Sequence, residues 1–175
     1  MRFAFPGGLA LVSIVVASHP AVAGEWGGSV ELGIHRTFTD DSIFKHAWDV
    51  GLGGHRRWRG HYYPGVFFDY RSVIDAAPAT SFWYADLGLR FFAAFGHSCG
   101  RIDVGWVFRH IALDQEGVSS TVGGLLLGAA VGAVIVQADR GALDLIATSH
   151  VTSAFWSERL WIADIGLALS WRFAP

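Results

Sequence analysis

Apolar and polar side chains alternate in eight separate runs between Ser29 and Phe173. Period two marks strands with two chemically different faces. In 29–37, Val30, Leu32 and Ile34 share one face, and Ser29, Glu31, Gly33 and His35 the other. In 47–55, Trp48, Val50 and Leu52 oppose Asp49, Gly51 and His55. In 62–71, Tyr62, Pro64, Val66, Phe68 and Tyr70 oppose Gly65, Phe67, Asp69 and Arg71. In 83–95, Ala85, Leu87, Leu89 and Phe91 oppose Tyr84, Asp86, Gly88 and Arg90. In 101–109, Ile102, Val104, Trp106 and Phe108 oppose Asp103, Gly105 and Arg109. The glycine-rich run 122–136 sets Leu125, Leu127, Val131 and Ile135 against Gly124, Gly128, Ala130 and Gly132. In 142–155, Leu143, Leu145, Ala147, Val151 and Phe155 oppose Asp144, Thr148, His150 and Thr152. The last run, 162–173, places Ala163, Ile165, Leu167, Leu169, Trp171 and Phe173 opposite Ile162, Asp164, Gly166, Ala168, Ser170 and Arg172.

The links between runs alternate as well. RWRGH, GHSCG and ADRG are tight and contain glycine, whereas FTDDSIFKH, SVIDAAPATS and LDQEGVSS are longer, with a final short WSER. Eight strands joined this way predict an all-β, antiparallel up-and-down meander. An even-numbered meander can close on itself and abolish its edges. The segment 122–136 also permits an apolar helix with a doubled G-x-x-x-G at Gly124, Gly128 and Gly132. It falls short of the ~18 apolar residues a spanning helix needs.

A closed barrel of this kind has two solutions. A lipocalin-like carrier turns its apolar face inward, and a transmembrane barrel turns it outward. Three features favour the second. The polar face is rich in Gly and Ala and poor in Lys, unlike a water-facing surface. Its charges nearly balance: Glu31, Asp49, Asp69, Asp86, Asp103, Asp144 and Asp164 against Arg71, Arg90, Arg101, Arg109 and Arg172, with His35, His55 and His150 besides. Buried charges need partners, and opposite signs on neighbouring strands would supply them. Finally, Trp48, Tyr62, Trp83, Phe95, Trp106, Trp161, Trp171 and Phe173 lie near run ends on the apolar face, as an aromatic girdle would. At ~3.4 Å per residue and a tilt of about 40°, Trp161 to Phe173 rises about 30 Å, enough for a bilayer. An eight-stranded barrel is just wide enough for side chains to fill, which predicts a plugged lumen.

Composition adds three constraints. Charged residues make up 16% of the 175 positions, and the net charge is −2, too small and too dispersed for a nucleic-acid partner. A single cysteine, Cys99, excludes an internal disulfide. Arg2, the apolar stretch 9–17 and the small-x-small Ala21–Ala23 match a signal peptide over residues 1–23, leaving 24–175 as one barrel domain. An N-terminal anchor is the alternative reading of that segment.

With leader, meander and alternating final strand, the chain resembles the small Gram-negative outer-membrane barrels of the OmpX and OmpA-transmembrane-domain kind. The resemblance covers 24–175 and implies an outer-membrane protein in contact with membrane lipid and lipopolysaccharide. It also implies recognition by the barrel-assembly machinery through the last strand, where Leu167, Leu169, Trp171 and Phe173 match. The family ends on the aromatic itself, whereas Ala174 and Pro175 follow Phe173 here. Termini and tight turns are then periplasmic, and Asp40, Asp41, Lys45, Asp75, Asp114, Glu116 and Glu158 external.

The same resemblance raises lipid A chemistry as an alternative to a structural or surface-interaction role. Barrel 3-O-deacylases use a His-x-Ser pair with an acid, because the hydroxyl must lose its proton to a base. No mature His precedes a Ser at that spacing. The nearest substitute is His150 and Thr152 with Asp164. The palmitoyl-transferase type carries a helix before its first strand, for which GEWGG leaves no room. No cofactor is implied, and without an H-x-x-x-H pair the lumen histidines are read as packing residues, not metal ligands. A narrow channel along the Gly124, Gly128 and Gly132 wall is the remaining alternative.

Overall fold

The computed structural model describes residues 26–39, 45–58, 60–74, 79–113, 119–154 and 161–173. The proposed leader 1–23 lies outside the described residues, as do Asp40, Asp41, Asp75, Asp114, Glu116 and Glu158. The described chain forms eight strands: β1 (Trp26–Thr39), β2 (Lys45–Arg56), β3 (Tyr62–Ile74), β4 (Ala79–Phe95), β5 (Ser98–Leu113), β6 (Ser119–Ala138), β7 (Gly141–Ala154) and β8 (Trp161–Phe173).

Each strand pairs antiparallel with its sequence neighbour, and β8 closes onto β1, from Gly28 against Phe173 to Thr39 against Ile162. Every strand edge is therefore paired, the condition for carrying a sheet through a bilayer. Tight turns join β2 to β3, β4 to β5 and β6 to β7 at the end where β1 starts and β8 stops. We call this the turn end, and the other the link end. Gly60 and Gly96 occupy the first two of these turns with φ of +73° and +59°, a left-handed backbone that only glycine adopts without penalty.

The exposure pattern identifies the barrel's solvent. Leu127 and Val131 point outward at 60% and 69% exposure, while Asp103 and Asp144 are 0% exposed inside. Leu32, Ile34, Val66, Leu89, Ile102, Val104, Ile165 and Leu167 extend the outward apolar belt around the ring. Such an inside-out surface is stable only against hydrocarbon, so this is a transmembrane barrel. The lipocalin-like alternative is excluded by the same observation.

Aromatic residues rim the belt at both ends. Trp48, Tyr70, Trp83 and His110 form a continuous outward row on β2 to β5 toward the link end, with ring centroids 5.9, 6.0 and 5.1 Å apart in turn. Tyr62 and Phe95 meet edge to face at 6.0 Å at the turn end, and Trp171 and Phe173 at 6.4 Å. Trp161 begins β8, but its side chain is outside the description. Trp106 departs from the girdle expectation. β5 runs on from Arg109 to Leu113, which leaves Trp106 at mid-strand beside Leu87 and Leu125, inside the apolar belt.

The interior is not purely polar. Toward the link end, Ala47, Val73, Tyr84, Val107, Leu126 and Ile162 make an apolar cluster with Phe67. Toward the turn end, Phe92, Cys99, Ala130 and Ile146 make a second, with Tyr63 and Ala94 packed on it. The charged side chains are held between and beside these clusters.

Candidate functional site: the charged lumen

Strand parity carries the ionisable residues inward, and their lengths decide which meet. Asp and Glu have short stems. Arg is long enough to reach the middle of an eight-stranded ring and beyond it. Partners therefore include strands that do not touch.

Arg101 on β5 holds Glu31 on β1 with both arms of its guanidinium. Its Nη2 donates to Glu31 Oε1 at 2.9 Å, and its Nη1 donates to Oε2. In a ring of eight strands β1 and β5 stand opposite, so this bidentate pair crosses the full lumen. Arg101 Nε also lies 3.0 Å from Asp103 Oδ2. Arg90 completes the group from β4. Its Nε and Nη2 donate to the two oxygens of Asp103 at 2.9 and 3.1 Å, and Nη2 also donates to Asp69 at 3.2 Å. The Arg90 guanidinium rests 4.7 Å above the Phe67 ring.

A second group lies toward the link end, around Arg71 on β3. Its Nη1 donates to Asp164 Oδ2 at 2.6 Å and its Nη2 to Asp86 Oδ2 at 3.2 Å. His35 Nε2 meets Asp49 Oδ1 at 2.7 Å. His150 joins the groups, with Nδ1 3.4 Å from Arg71 and Nε2 3.8 Å from Asp103. The His35 and His150 ring centroids are 5.9 Å apart. Arg109 donates to Thr152 Oγ1. At the turn end Arg172 grips Asp144 with two arms, Nη2 to Oδ1 at 3.0 Å, and lies 4.5 Å above the Phe92 ring. Beyond Arg172 the lumen widens into a vestibule of about 390 Å³, lined by His55, His61, Tyr63, Asp139 and Phe173.

Small residues make room for this network. A Cβ on Gly128 would run into the His150 ring, and one on Gly51 into the Asp69 carboxylate. At these two positions glycine is a packing requirement of the ionisable side chain beside it.

His150, Thr152 and Asp164 are neighbours, but their hydrogen bonds run elsewhere. His150 and Asp164 are cross-strand partners. Even so, Asp164 accepts from Arg71, a permanent cation, and not from the imidazole. Thr152 accepts from Arg109 and donates to Ile162 O at 3.4 Å. The hydroxyl-to-base contact of an acyl hydrolase is not made, and both side chains are at most 3% exposed. Among the described residues no three His, Cys, Asp or Glu are placed to hold a metal ion.

Arg101 carries the same parity signal as Arg90 and belongs to the network's centre. What period two alone did not mark is the apolar share of the lumen, Val107, Leu126 and Ile146 above all. Val107 and Ile146 lie in step with the charged positions of their strands, and Leu126 in step with Gly124 and Gly128 on a strand without charges; that phase was the signal available.

No protein-family model matches this sequence, and no curated protein matches it. Solved structures do. Neisserial surface protein A aligns with a TM-score of 0.64 at 9% identity, over 83% of this chain and 96% of that one. The N-terminal β-barrel domain of Pseudomonas aeruginosa OprF aligns at 0.56 and 11% identity, over 82% and 96%. Ail, the attachment invasion locus protein of Yersinia pestis, solved in complex with the heparin analogue sucrose octasulfate, aligns at 0.56 and 13%, over 85% and 99%. At these identities the likeness is one of fold. The chain has the fold of small bacterial outer-membrane β-barrels, and its apolar exterior fits it to that membrane.

Proposed function

We propose that the protein is a closed, non-conducting outer-membrane barrel whose role is structural or surface-interacting rather than catalytic. The observation that carries this reading is the Glu31–Arg101 pair, which spans the lumen where a channel would need open space. Arg90, Asp69 and Asp103 thicken that crossing, and two apolar clusters flank it. The buried hydroxyl of Thr152, bonded to Arg109, argues against lipid A hydrolysis.

Membrane lipid is the partner of the outward belt, and lipopolysaccharide that of its outer rim. The outward Leu167, Leu169, Trp171 and Phe173 of β8 present an alternating signal to the barrel-assembly machinery. Ail was solved with a polysulfated ligand. The links at this chain's link end carry Asp40, Asp41, Asp75, Asp114, Glu116 and Glu158 against Lys45 and Arg159, a net charge of the wrong sign for a polyanion. A surface role here is served by a different chemistry.

The test is solute entry into liposomes holding the refolded protein, beside an assay for acyl chains released from lipid A. The proposal expects neither swelling in small sugars nor release. Swelling would establish a channel. Release that is lost in Thr152→Ala would establish the hydrolase alternative.

A further inference from the structure

The two ends of the barrel carry opposite charge. The links at one end are acidic by sequence, as just described. The turn end is basic. Arg56, Arg57 and Arg140 are exposed there, with His61 and His97 also exposed. Of the acids near them, Asp144 is taken by Arg172, and Asp139 stands beside Arg140.

Arg56 and Arg57, at the β2–β3 turn, stand among exposed aromatic rings. Trp58 N donates to Tyr62 O at 2.8 Å, and Ala94 N donates to His61 O at 3.0 Å, tying the turn to the next hairpin. Arg57 Nε donates to Gly60 O at 3.2 Å. The Arg56 guanidinium lies 5.9 Å above the Trp26 ring. Trp26, Trp58 and Tyr62 are 66%, 58% and 51% exposed, which puts broad amphipathic rings beside the cations. Aromatic rings of this kind settle at the level of lipid headgroups. Fixed guanidinium groups at that level meet phosphates, which they bind in a planar, two-pronged fashion.

We propose that the turn end is a docking surface for anionic phospholipid headgroups, formed by Arg56, Arg57 and Arg140 around Trp26, Trp58 and Tyr62. A net negative headgroup is favoured over a zwitterionic one, whose ammonium is repelled by the same arginines. Trp58 and His61 are already held by backbone bonds to Tyr62 and Ala94, so binding does not have to order them. The location in the periplasmic leaflet rests on the orientation implied by the proposed function. The headgroup preference does not.

The experiment uses the full chain refolded into vesicles of equal composition in both leaflets, and reads the association of spin-labelled phosphatidylglycerol and spin-labelled phosphatidylcholine by electron paramagnetic resonance. The expected result is a preference for phosphatidylglycerol of about threefold at low salt, weakening as salt rises. In Arg56→Gln/Arg57→Gln it falls by more than half, in Arg140→Gln by less, and in Arg36→Gln at the other end it persists. Equal association of the two lipids with the wild-type protein overturns the proposal. So does a preference that survives both turn-end variants. Asp139→Cys in intact cells, probed with a membrane-impermeant maleimide, reports orientation separately. Labelling there would refute the leaflet assignment and leave the headgroup preference standing on its own measurement.

Discussion

Glu31 and Arg101 face each other from opposite walls of the barrel and are joined by two hydrogen bonds, the Nη2 to Oε1 contact measuring 2.9 Å. Both are nearly inaccessible, at 2% and 5% exposure. Breaking one side of such a pair leaves an uncompensated buried charge. Arg101→Leu is expected to cost about 3–5 kcal/mol, and Glu31→Leu a similar amount. The double replacement should cost clearly less than the two together, because no charge is stranded. Urea midpoints of the four proteins folded in lipid vesicles measure this. Additive losses would contradict the pairing.

Arg90 and Asp86 should differ in consequence. Arg90 serves both Asp103 and Asp69; Asp103 keeps Arg101 at 3.0 Å, but Arg90→Leu strands Asp69 and should cost about 3–5 kcal/mol. Asp86→Leu removes one of two carboxylates from Arg71, which keeps Asp164 at 2.6 Å, and the expected cost is about 1–3 kcal/mol. Unfolding midpoints of the two variants should fall in that order. Unchanged midpoints in both would refute the network.

Gly128 lies in line with His150 on the neighbouring strand. Gly128→Val puts a branched side chain into the imidazole, and overpacking of this kind costs about 1–3 kcal/mol. A variant that folds with wild-type stability would show that the lumen has room for the added side chain.

Leu126 and Leu127 are adjacent and face opposite solvents, at 2% and 60% exposure. Leu127→Arg places a charge on the lipid face near mid-strand and should cost about 2–4 kcal/mol. Leu126→Ala removes packing from the inner cluster and should cost about 2–5 kcal/mol. Folding yields and midpoints in vesicles test both. Tolerance of Leu127→Arg would mean that this face does not meet lipid.

The strands and their faces could be read from the sequence because period two is local. Val30, Leu32 and Ile34 repeat at the same spacing that sends Glu31, Gly33 and His35 the other way, with no reference to the rest of the chain. The inversion was readable too, since Asp, Arg and Gly sharing one face fit a tight interior better than a wet surface. Pairing was not readable. Neighbouring strands could be expected to exchange charges, and Arg90 with Asp103 does so. Arg101 instead reaches past its neighbours to Glu31, a choice set by side-chain length and barrel width, which alternation does not encode. The same limit hid the partner of Asp164, which is Arg71 on a strand that does not touch its own. Trp106 was misplaced because the polar residue Arg109 looked like a strand end, whereas it is a lumen position of a strand that continues to Leu113.

The closed lumen is the claim on which the functional reading stands, and planar-bilayer recording of the purified, refolded protein tests it most directly. No conductance steps are expected from the wild-type protein. Steady, reproducible steps from the wild-type protein would contradict it.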